Sequence, residues 1–183
     1  APAPQPELPT TTLYFLEPVR RLAARHDLPA PERLSRHVWA CGDVGVVSRY
    51  LRPVELNRIR ERHFSRLVYL IDDTLIAGAY DPALPAEYRK RLKDFHETGH
   101  ALVLREATDV VVPNRLLADL YRALAPNAEV HLTHPLWPER KGPPRLKLDD
   151  GRLRIAYLGS RSHMRDIRVV AKRLARFLRG RED

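Results

Sequence analysis

Short apolar runs alternate with segments of helical spacing along most of this chain. The runs predicted to be strands are Thr12–Leu16, His37–Cys41, Val44–Ser48, Leu67–Ile71 and Asp109–Val112. The segments predicted to be helices are Pro18–His26, Pro53–His63, Pro85–Glu106 and Asn114–Leu124. Strands that alternate with helices indicate an α/β domain built on a parallel sheet.

The central strands carry almost no polar residues. Leu67–Ile71 and Val110–Val112 are nearly continuous apolar runs, which is typical of strands covered by helices on both faces. A doubly wound sheet therefore fits the pattern. The helix starts are marked by Pro53, Pro85 and Asn114, because proline suits the first turn and asparagine caps free N–H groups.

The composition changes between Pro135 and Gly151. This segment contains four prolines and two glycines and shows neither helical nor strand periodicity. A new strand, Leu153–Leu158, then precedes a turn at Gly159 and an amphipathic helix over Ser162–Leu178. The predicted organisation is a flexible Pro-rich arm (1–9), a first domain (10–134), a linker (135–151) and the first βα unit of a second domain (152–183).

Composition narrows the class of protein. The chain has 183 residues, of which 44% are hydrophobic, and a single cysteine, Cys41, so no internal disulfide framework exists and a reducing compartment is indicated. No apolar run approaches the roughly 20 residues that cross a bilayer, and the start lacks the order of a signal peptide. We therefore expect a soluble cytoplasmic protein.

The net charge of +9 favours anionic partners. Arginines are spread along the chain and are not gathered with aromatic residues, so no specific nucleic-acid partner is expected. Peripheral contact with an anionic membrane, at the inner membrane face, stays open. So does a non-catalytic basic module that binds acidic glycans by charge.

A strand-to-turn-to-helix junction offers a phosphate site. The strand ends at Gly159, where the backbone can turn tightly, and Ser160 or Ser162 caps the following helix, whose free N–H groups favour anions. Arg161 and His163 lie in the same turn. Any strand–helix junction favours glycine and serine, so the junction alone is ambiguous.

Three motifs in order resemble one family. Leu158–Asp166 resembles the "G-S-x-x-H-x-x-D" opening of the second domain of GT-B glycosyltransferases of the glycogen-synthase-like (group 1, or family 4-like) superfamily, particularly bacterial surface-polysaccharide members. Val68–Leu75 resembles their "V-Y-x-I-D-D-x-L" strand end, and Ala107–Ala118 resembles "A-D-x-V-x-V-x-S-x-x-L-A". The resemblance covers roughly residues 37–178.

The resemblance implies a Rossmann-like N-terminal domain for the acceptor and an incomplete second Rossmann-like domain for the nucleotide-sugar donor. It implies sugar transfer to a glycan or glycoconjugate acceptor, with no metal and no cofactor besides the donor substrate. Asp72 and Asp73 would face the cleft as catalytic candidates. Gly159, Ser160 and His163 would lie near the donor phosphates.

Two further implications follow from the family. Arg161 and Arg165 would help to stabilise the leaving phosphate, unless they belong to a solvated face. The family's spaced pair of donor-binding glutamates lies downstream of the point where this sequence ends, so we expect this chain alone to be inactive and the donor site to need a separate chain or a longer product.

A different class is suggested by His96-Glu97-Thr98-Gly99-His100, a literal H-E-x-x-H. On a helix this spacing places two imidazoles on one face for zinc and leaves the glutamate to activate water. Glu106 stands where a third ligand would lie. Gly99 weakens such a helix, and the same segment also suits plain core packing, so zinc hydrolysis is the alternative reading.

Overall fold

The computed structural model describes residues 7–137 and 164–179. The chain divides into two compact units, residues 1–139 and 140–183. The first unit contains a six-stranded sheet in the order β1-β2-β3-β4-β5-β6. Its strands are β1 (Glu32–Arg33), β2 (Val38–Cys41), β3 (Val44–Ser48), β4 (Arg66–Leu70), β5 (Asp109–Val112) and β6 (Glu129–Leu132).

The described part of the first unit contains five helices. They are α1, formed by the successive segments Pro9–Thr11, Thr12–Leu16 (π-helical) and Glu17–Ala23; α2 (Pro53–Glu61); α3 (Leu75–Tyr80); α4, formed by Ala86–Phe95, His96–His100 (π-helical) and Ala101–Glu106; and α5 (Arg115–Leu124). No helix in the described part of the chain combines the length and the apolar character that crossing a bilayer requires.

The sheet is mostly parallel, as the alternating pattern predicts. β1, β2 and β3 pair in antiparallel fashion, whereas β3, β4, β5 and β6 are parallel. β2 and β3 are joined by a two-residue turn at Gly42, whose φ of 62° is a conformation that glycine adopts without strain.

The described strands do not have the order of a doubly wound sheet, which the sequence pattern predicts. Each described parallel strand pairs with the next one in the chain, so the order of these strands never reverses. Helices nevertheless lie on both faces of this sheet, because α1 packs on the face opposite to α2, α3, α4 and α5. Hydrophobic runs report that both faces of a strand are covered, but they carry no information on which strands are neighbours.

The two faces have separate cores. On the first face, Val47, Tyr69 and Val110 belong to a large cluster with α2, α4 and α5. On the second face, Trp39, Val46 and Leu70 pack against Phe15 and Leu16 of α1. Full burial of such a side chain contributes about 1.5–3 kcal/mol, so the second cluster holds α1 on the sheet.

The prediction of a strand at Thr12–Leu16 is wrong, because these residues form the π-helical part of α1. Pro9 occupies the first turn of this helix, and Phe15 and Leu16 face the sheet while Val19 packs one turn later. A short apolar run is compatible with a strand or a buried helix, and its periodicity cannot separate the two.

Several other elements agree with the sequence pattern. The strands predicted at Val44–Ser48 and Asp109–Val112 have those bounds in the structure. Asn114 caps α5, with its side-chain oxygen accepting a hydrogen bond from the backbone N–H of Leu117 at 2.9 Å. Helix α3 (Leu75–Tyr80) was missed, since only a loop is predicted after the strand Leu67–Ile71.

The second unit contributes one described helix, α6 (Met164–Arg179). It corresponds to the helix predicted over Ser162–Leu178. The linker beyond residue 137, the strand predicted at Leu153–Leu158 and the turn at Gly159 lie outside the described residues.

Candidate functional site at the carboxyl edge of the sheet

The carboxyl ends of β3 and β4 lie side by side, because Ser48 is in register with Leu70. The residues that follow these strands therefore meet at one edge. They are Arg49 after β3, and Asp72 and Asp73 after β4. This edge is where open α/β sheets bind their ligands.

Arg49 is held in an uncommon backbone conformation. Its φ is 64°, a left-handed value that costs roughly 1–2 kcal/mol for a residue with a side chain. Its N–H donates to the carbonyl of Leu70 at 2.9 Å, and its own carbonyl accepts from the Tyr69 hydroxyl at 3.0 Å. Both backbone groups of Arg49 are thus tied to β4.

The Arg49 guanidinium reaches both aspartates. It donates to Asp72 Oδ1 at 2.8 Å and lies 3.5 Å from Asp73 Oδ2. Burial lowers the pKa of Arg49, but the neighbouring charges of Asp72 and Asp73 outweigh it and leave that pKa raised above its ordinary value. The arginine is therefore charged, and the three side chains together carry one negative charge.

The two aspartates differ in how much of them remains free. Asp72 is pinned on both oxygens, since Oδ2 accepts from the Thr10 hydroxyl at 2.5 Å while Oδ1 binds Arg49. Its side chain is 20% exposed, whereas that of Asp73 is 59% exposed. Within residues 7–137 and 164–179, Asp73 Oδ1 accepts a hydrogen bond only from the neighbouring Thr74 N–H, in a local turn. Asp73 is therefore the carboxylate that a ligand can reach. Asp72 instead links the loop after β4 to Thr10 and Arg49.

The first turn of α1 completes this edge. Thr10 binds Asp72, and the hydroxyls of Thr11 and Ser48 lie 2.7 Å apart in a buried contact. These residues and Arg49 were missed from sequence. Arg49 directly follows a predicted strand, a position that could have marked it, but Thr10 and Thr11 were hidden by the wrong strand assignment at Thr12–Leu16.

Substitution of Arg49 separates its two roles in stability. Arg49→Ala leaves Asp72 without its cation and is expected to lower the free energy of unfolding by about 2 kcal/mol. Arg49→Gly loses the same ion pair but adopts the left-handed φ freely, so it should be about 1 kcal/mol less destabilising than Arg49→Ala. Urea unfolding followed by circular dichroism measures both. Equal stabilities of the two variants would contradict a strained backbone at this position.

The H-E-x-x-H segment, His96–His100, forms the π-helical turn of α4. His96 Nδ1 and His100 Nδ1 are 3.3 Å apart, and His100 Nε2 lies 3.3 Å from the Tyr121 hydroxyl. His100 is 1% exposed. Burial, and secondarily His96, lower the pKa of His100 from 6.5 to about 4, which keeps this imidazole neutral near pH 7.

Glu106, the third ligand of the predicted zinc site, pairs with arginines instead. It accepts from Arg60 at 2.7 Å and from Arg105 at 3.3 Å. Among the described residues, three potential metal ligands come close enough to share an ion at one place only. That place does not include His96, His100 or Glu106. The structure therefore does not assemble the zinc site that these three residues would require.

The group that does come together is Asp109, Glu129 and His131 on neighbouring strands. Asp109 already accepts from His131 Nε2 at 2.8 Å and forms a two-pronged pair with Arg66. Although burial raises the pKa of Asp109, its bonds to Arg66, Thr108 and His131 outweigh this and leave that pKa lowered. Arg66 thus supplies the positive charge here, and the group reads as a structural network.

The residues expected to contact the donor phosphates are Gly159, Ser160, Arg161, Ser162 and His163, and they lie outside the described residues. Arg165 falls within α6. The contacts predicted for these residues remain predictions. Among the described residues, the carboxyl edge with Arg49, Asp72 and Asp73 is the arrangement best suited to ligand chemistry.

Comparison with known proteins adds no family to this geometry. No family model, no curated protein and no solved structure matches the chain significantly.

Proposed function

We propose that this chain is the acceptor-side part of a GT-B type glycosyltransferase, which transfers a sugar from a nucleotide-sugar donor to a glycan or glycoconjugate acceptor. One observation carries the proposal. Asp73 stands exposed at the carboxyl edge of parallel strands, beside Asp72, which Arg49 and Thr10 hold in place. The mostly parallel α/β sheet is compatible with the Rossmann-like domain that the sequence motifs suggest.

The chemistry of this edge suits a hydroxylated ligand. Carboxylate oxygens accept hydrogen bonds from sugar hydroxyls, and charge-assisted bonds of this kind are stronger than neutral ones. In the proposed transfer, the acceptor hydroxyl oxygen bonds to the anomeric carbon while the bond from that carbon to the donor phosphate breaks. Asp73 takes the proton of that hydroxyl, and the nucleoside diphosphate leaves.

Asp72 has a different part in this proposal. Because both of its oxygens are occupied by Arg49 and Thr10, it fixes the loop that presents Asp73 and does not itself contact the acceptor. Donor contacts are assigned to Gly159, Ser160 and His163, as the resemblance implies. The proposed reaction needs no metal and no cofactor beyond the nucleotide sugar.

The proposal predicts that Asp73→Asn weakens acceptor binding by about tenfold or more, since a hydrogen bond to a charged group contributes roughly 1.5–3 kcal/mol. Binding is measured by NMR titration of the labelled protein with a panel of mono- and disaccharides. Asp119→Asn is the matched control, because Asp119 is an exposed aspartate that pairs with Arg122 on α5. This control should bind like the wild type.

The same titration contains the contrary outcomes. Failure of every saccharide to shift the resonances of residues 48–50 and 72–74 would overturn the proposed function. So would undiminished binding to Asp73→Asn. A transfer assay that follows nucleoside diphosphate release, with the best binder as acceptor and the donor-side domain supplied by a separate chain or a longer product, then tests the reaction itself.

A further inference from the structure

An apolar cleft lies between α1 and the second face of the sheet. Its volume is about 410 Å³, within the range of small-molecule sites. Residues from three parts of the fold line it: α1, the segment after α1, and the strands. Representative lining residues are Tyr14, Val19, Leu28, Val44, Val68 and Leu70.

The polar groups at one end of this cleft are already engaged. The Cys41 thiol donates to the carbonyl of Pro29 at 3.2 Å. Asp43 Oδ2 accepts from the Ser65 hydroxyl at 2.5 Å. Asp43 and Cys41 belong to the turn region of the β2–β3 hairpin, so this end of the cleft offers a ligand mainly carbon surface.

The other end of the cleft adjoins the candidate site. Leu70, the last residue of β4, lines the cleft and precedes Asp72 by two residues. Tyr14 lines the cleft one helical turn after Thr10, which donates to Asp72. Burial and the nearby charge of Asp72 raise the pKa of the Tyr14 phenol, which agrees with this proximity. The apolar surface thus runs toward the carboxyl edge.

We propose that this cleft binds the alkyl chain of an amphiphilic ligand whose polar head reaches the edge at Asp72 and Asp73. The head placement rests on the proposed function, with an amphiphilic glycoconjugate as the acceptor class, whereas the alkyl site stands on the cleft alone. An apolar cavity binds hydrocarbon favourably. The adjoining carboxylates accept hydrogen bonds from hydroxyl groups.

The choice of an alkyl chain follows from the lining. Tyr14, Phe15 and Val19 of α1 and aliphatic side chains from three adjacent strands surround the space, and no lysine or arginine of the described residues lines it. Such a lining rejects an anionic or strongly polar ligand, which would lose its hydration without compensation. An amphiphile satisfies both ends, because its chain is buried while its head stays at the exposed edge.

Affinity for the cleft is measured with n-alkyl β-glucosides from hexyl to nonyl, each below its critical micelle concentration, and with the matching n-alkanols. Trp39 packs edge-to-face on Phe15, a cleft residue, with ring centroids 6.2 Å apart. The chain contains two tryptophans, so Trp137→Phe leaves Trp39 as the sole tryptophan reporter. We expect about fourfold tighter binding per added methylene, equivalent to about 0.8 kcal/mol.

Filling the cleft provides the decisive variants. Val44→Phe and Val68→Phe replace half-buried cleft residues and should each weaken binding by about tenfold or more. Val54→Phe is the matched control, since Val54 is 59% exposed on α2 and lies outside the cleft. Circular dichroism identifies any variant that fails to fold, and the other cleft variant then decides. The proposal would be overturned if affinity did not depend on the length of the alkyl chain. It would also be overturned if the folded cleft variants bound the ligands as tightly as the wild type.

The two ligand series distinguish failure of this proposal from failure of the proposed function. Alkanols carry no sugar, so their binding reports the alkyl site alone. Asp73→Asn should weaken glucoside binding while leaving alkanol binding unchanged. Equal glucoside affinity in Asp73→Asn and wild type overturns the head placement, and absence of alkanol binding overturns the alkyl site even where saccharides bind the edge.

Discussion

Gly99→Ala is expected to destabilise the protein by about 3 kcal/mol, although alanine is the better helix former. A Cβ at Gly99 would stand 2.0 Å from the carbonyl oxygen of Leu51 and 2.8 Å from the Phe95 ring. The obstacle at Leu51 is backbone and cannot rotate away, so α4 must move off the end of β3. Overpacking of this kind typically costs 1–3 kcal/mol or more. Urea unfolding measures the loss.

Gly78→Ala is the matched control, because Gly78 also lies in a helix, α3. A Cβ there would meet Leu92 Cδ1 at 2.8 Å and Leu84 Cδ1 at 3.5 Å, both at the ends of flexible side chains. The gain in helix propensity, about 1 kcal/mol, offsets the adjustment, so this variant should lie within about 1 kcal/mol of wild type. A Gly99→Ala variant as stable as Gly78→Ala would contradict the close approach of α4 to Leu51.

Acidification from pH 6.5 to pH 4 is expected to remove about 3 kcal/mol of stability through His100. The pKa of this histidine falls from 6.5 in the unfolded chain to about 4 in the fold. Between these two pH values His100 is protonated in the unfolded state but not in the folded state. The free energy of unfolding therefore declines as the pH falls. Each unit of pKa difference corresponds to 1.36 kcal/mol. Urea unfolding at a series of pH values measures the slope.

The acidic groups act lower on the pH scale and can be separated from His100. Bonds to Arg52 and Ser35 outweigh burial and leave the pKa of Glu55 below its ordinary value of 4.5. The stability that Glu55 contributes is therefore present above pH 4.5 and is lost as the pH falls through its lower folded-state pKa. Burial also lowers the pKa of His37 from 6.5, so this histidine adds to the loss of stability as the pH falls below 6.5.

His100→Gln should remove most of the slope between pH 6.5 and 4.5, whatever its effect on stability at neutral pH. His26→Gln is the control, since His26 is an exposed residue after α1, and it should keep the wild-type slope. A His100→Gln slope equal to that of wild type would show that the buried His100 does not govern the acid response.

The local elements of the fold could be read from sequence because their causes are local. Val44–Ser48 and Asp109–Val112 are strands with the predicted bounds, since β-branched residues and flanking turns mark them. Pro53 begins α2 and Asn114 caps α5, because both roles depend on a residue and its next turn. Thr12–Leu16 was misread because a short apolar run fits either a strand or a buried helix.

The candidate site was predicted only in part. Asp72 and Asp73 follow a recognisable buried strand, so their place at a sheet edge was expected. The hydrogen-bond partners that bury Asp72 and leave Asp73 exposed could not be predicted. The contact between Thr10 and Asp72 spans 62 positions, and that between Arg49 and Asp72 spans 23. Pairing at such distances depends on which strands become neighbours.

Local sequence patterns were enough to predict the α/β class, the mostly parallel sheet, the starts of α2 and α5, and the two aspartates at a strand end. These follow from periodicity and from residue preferences within a few positions. Tertiary structure decided the sequential strand order, the packing of α1 on the second face, the left-handed Arg49 that pins Asp72, and the apolar cleft beside it. Each of these depends on contacts between segments far apart in the chain, whose relative placement only the packed core defines.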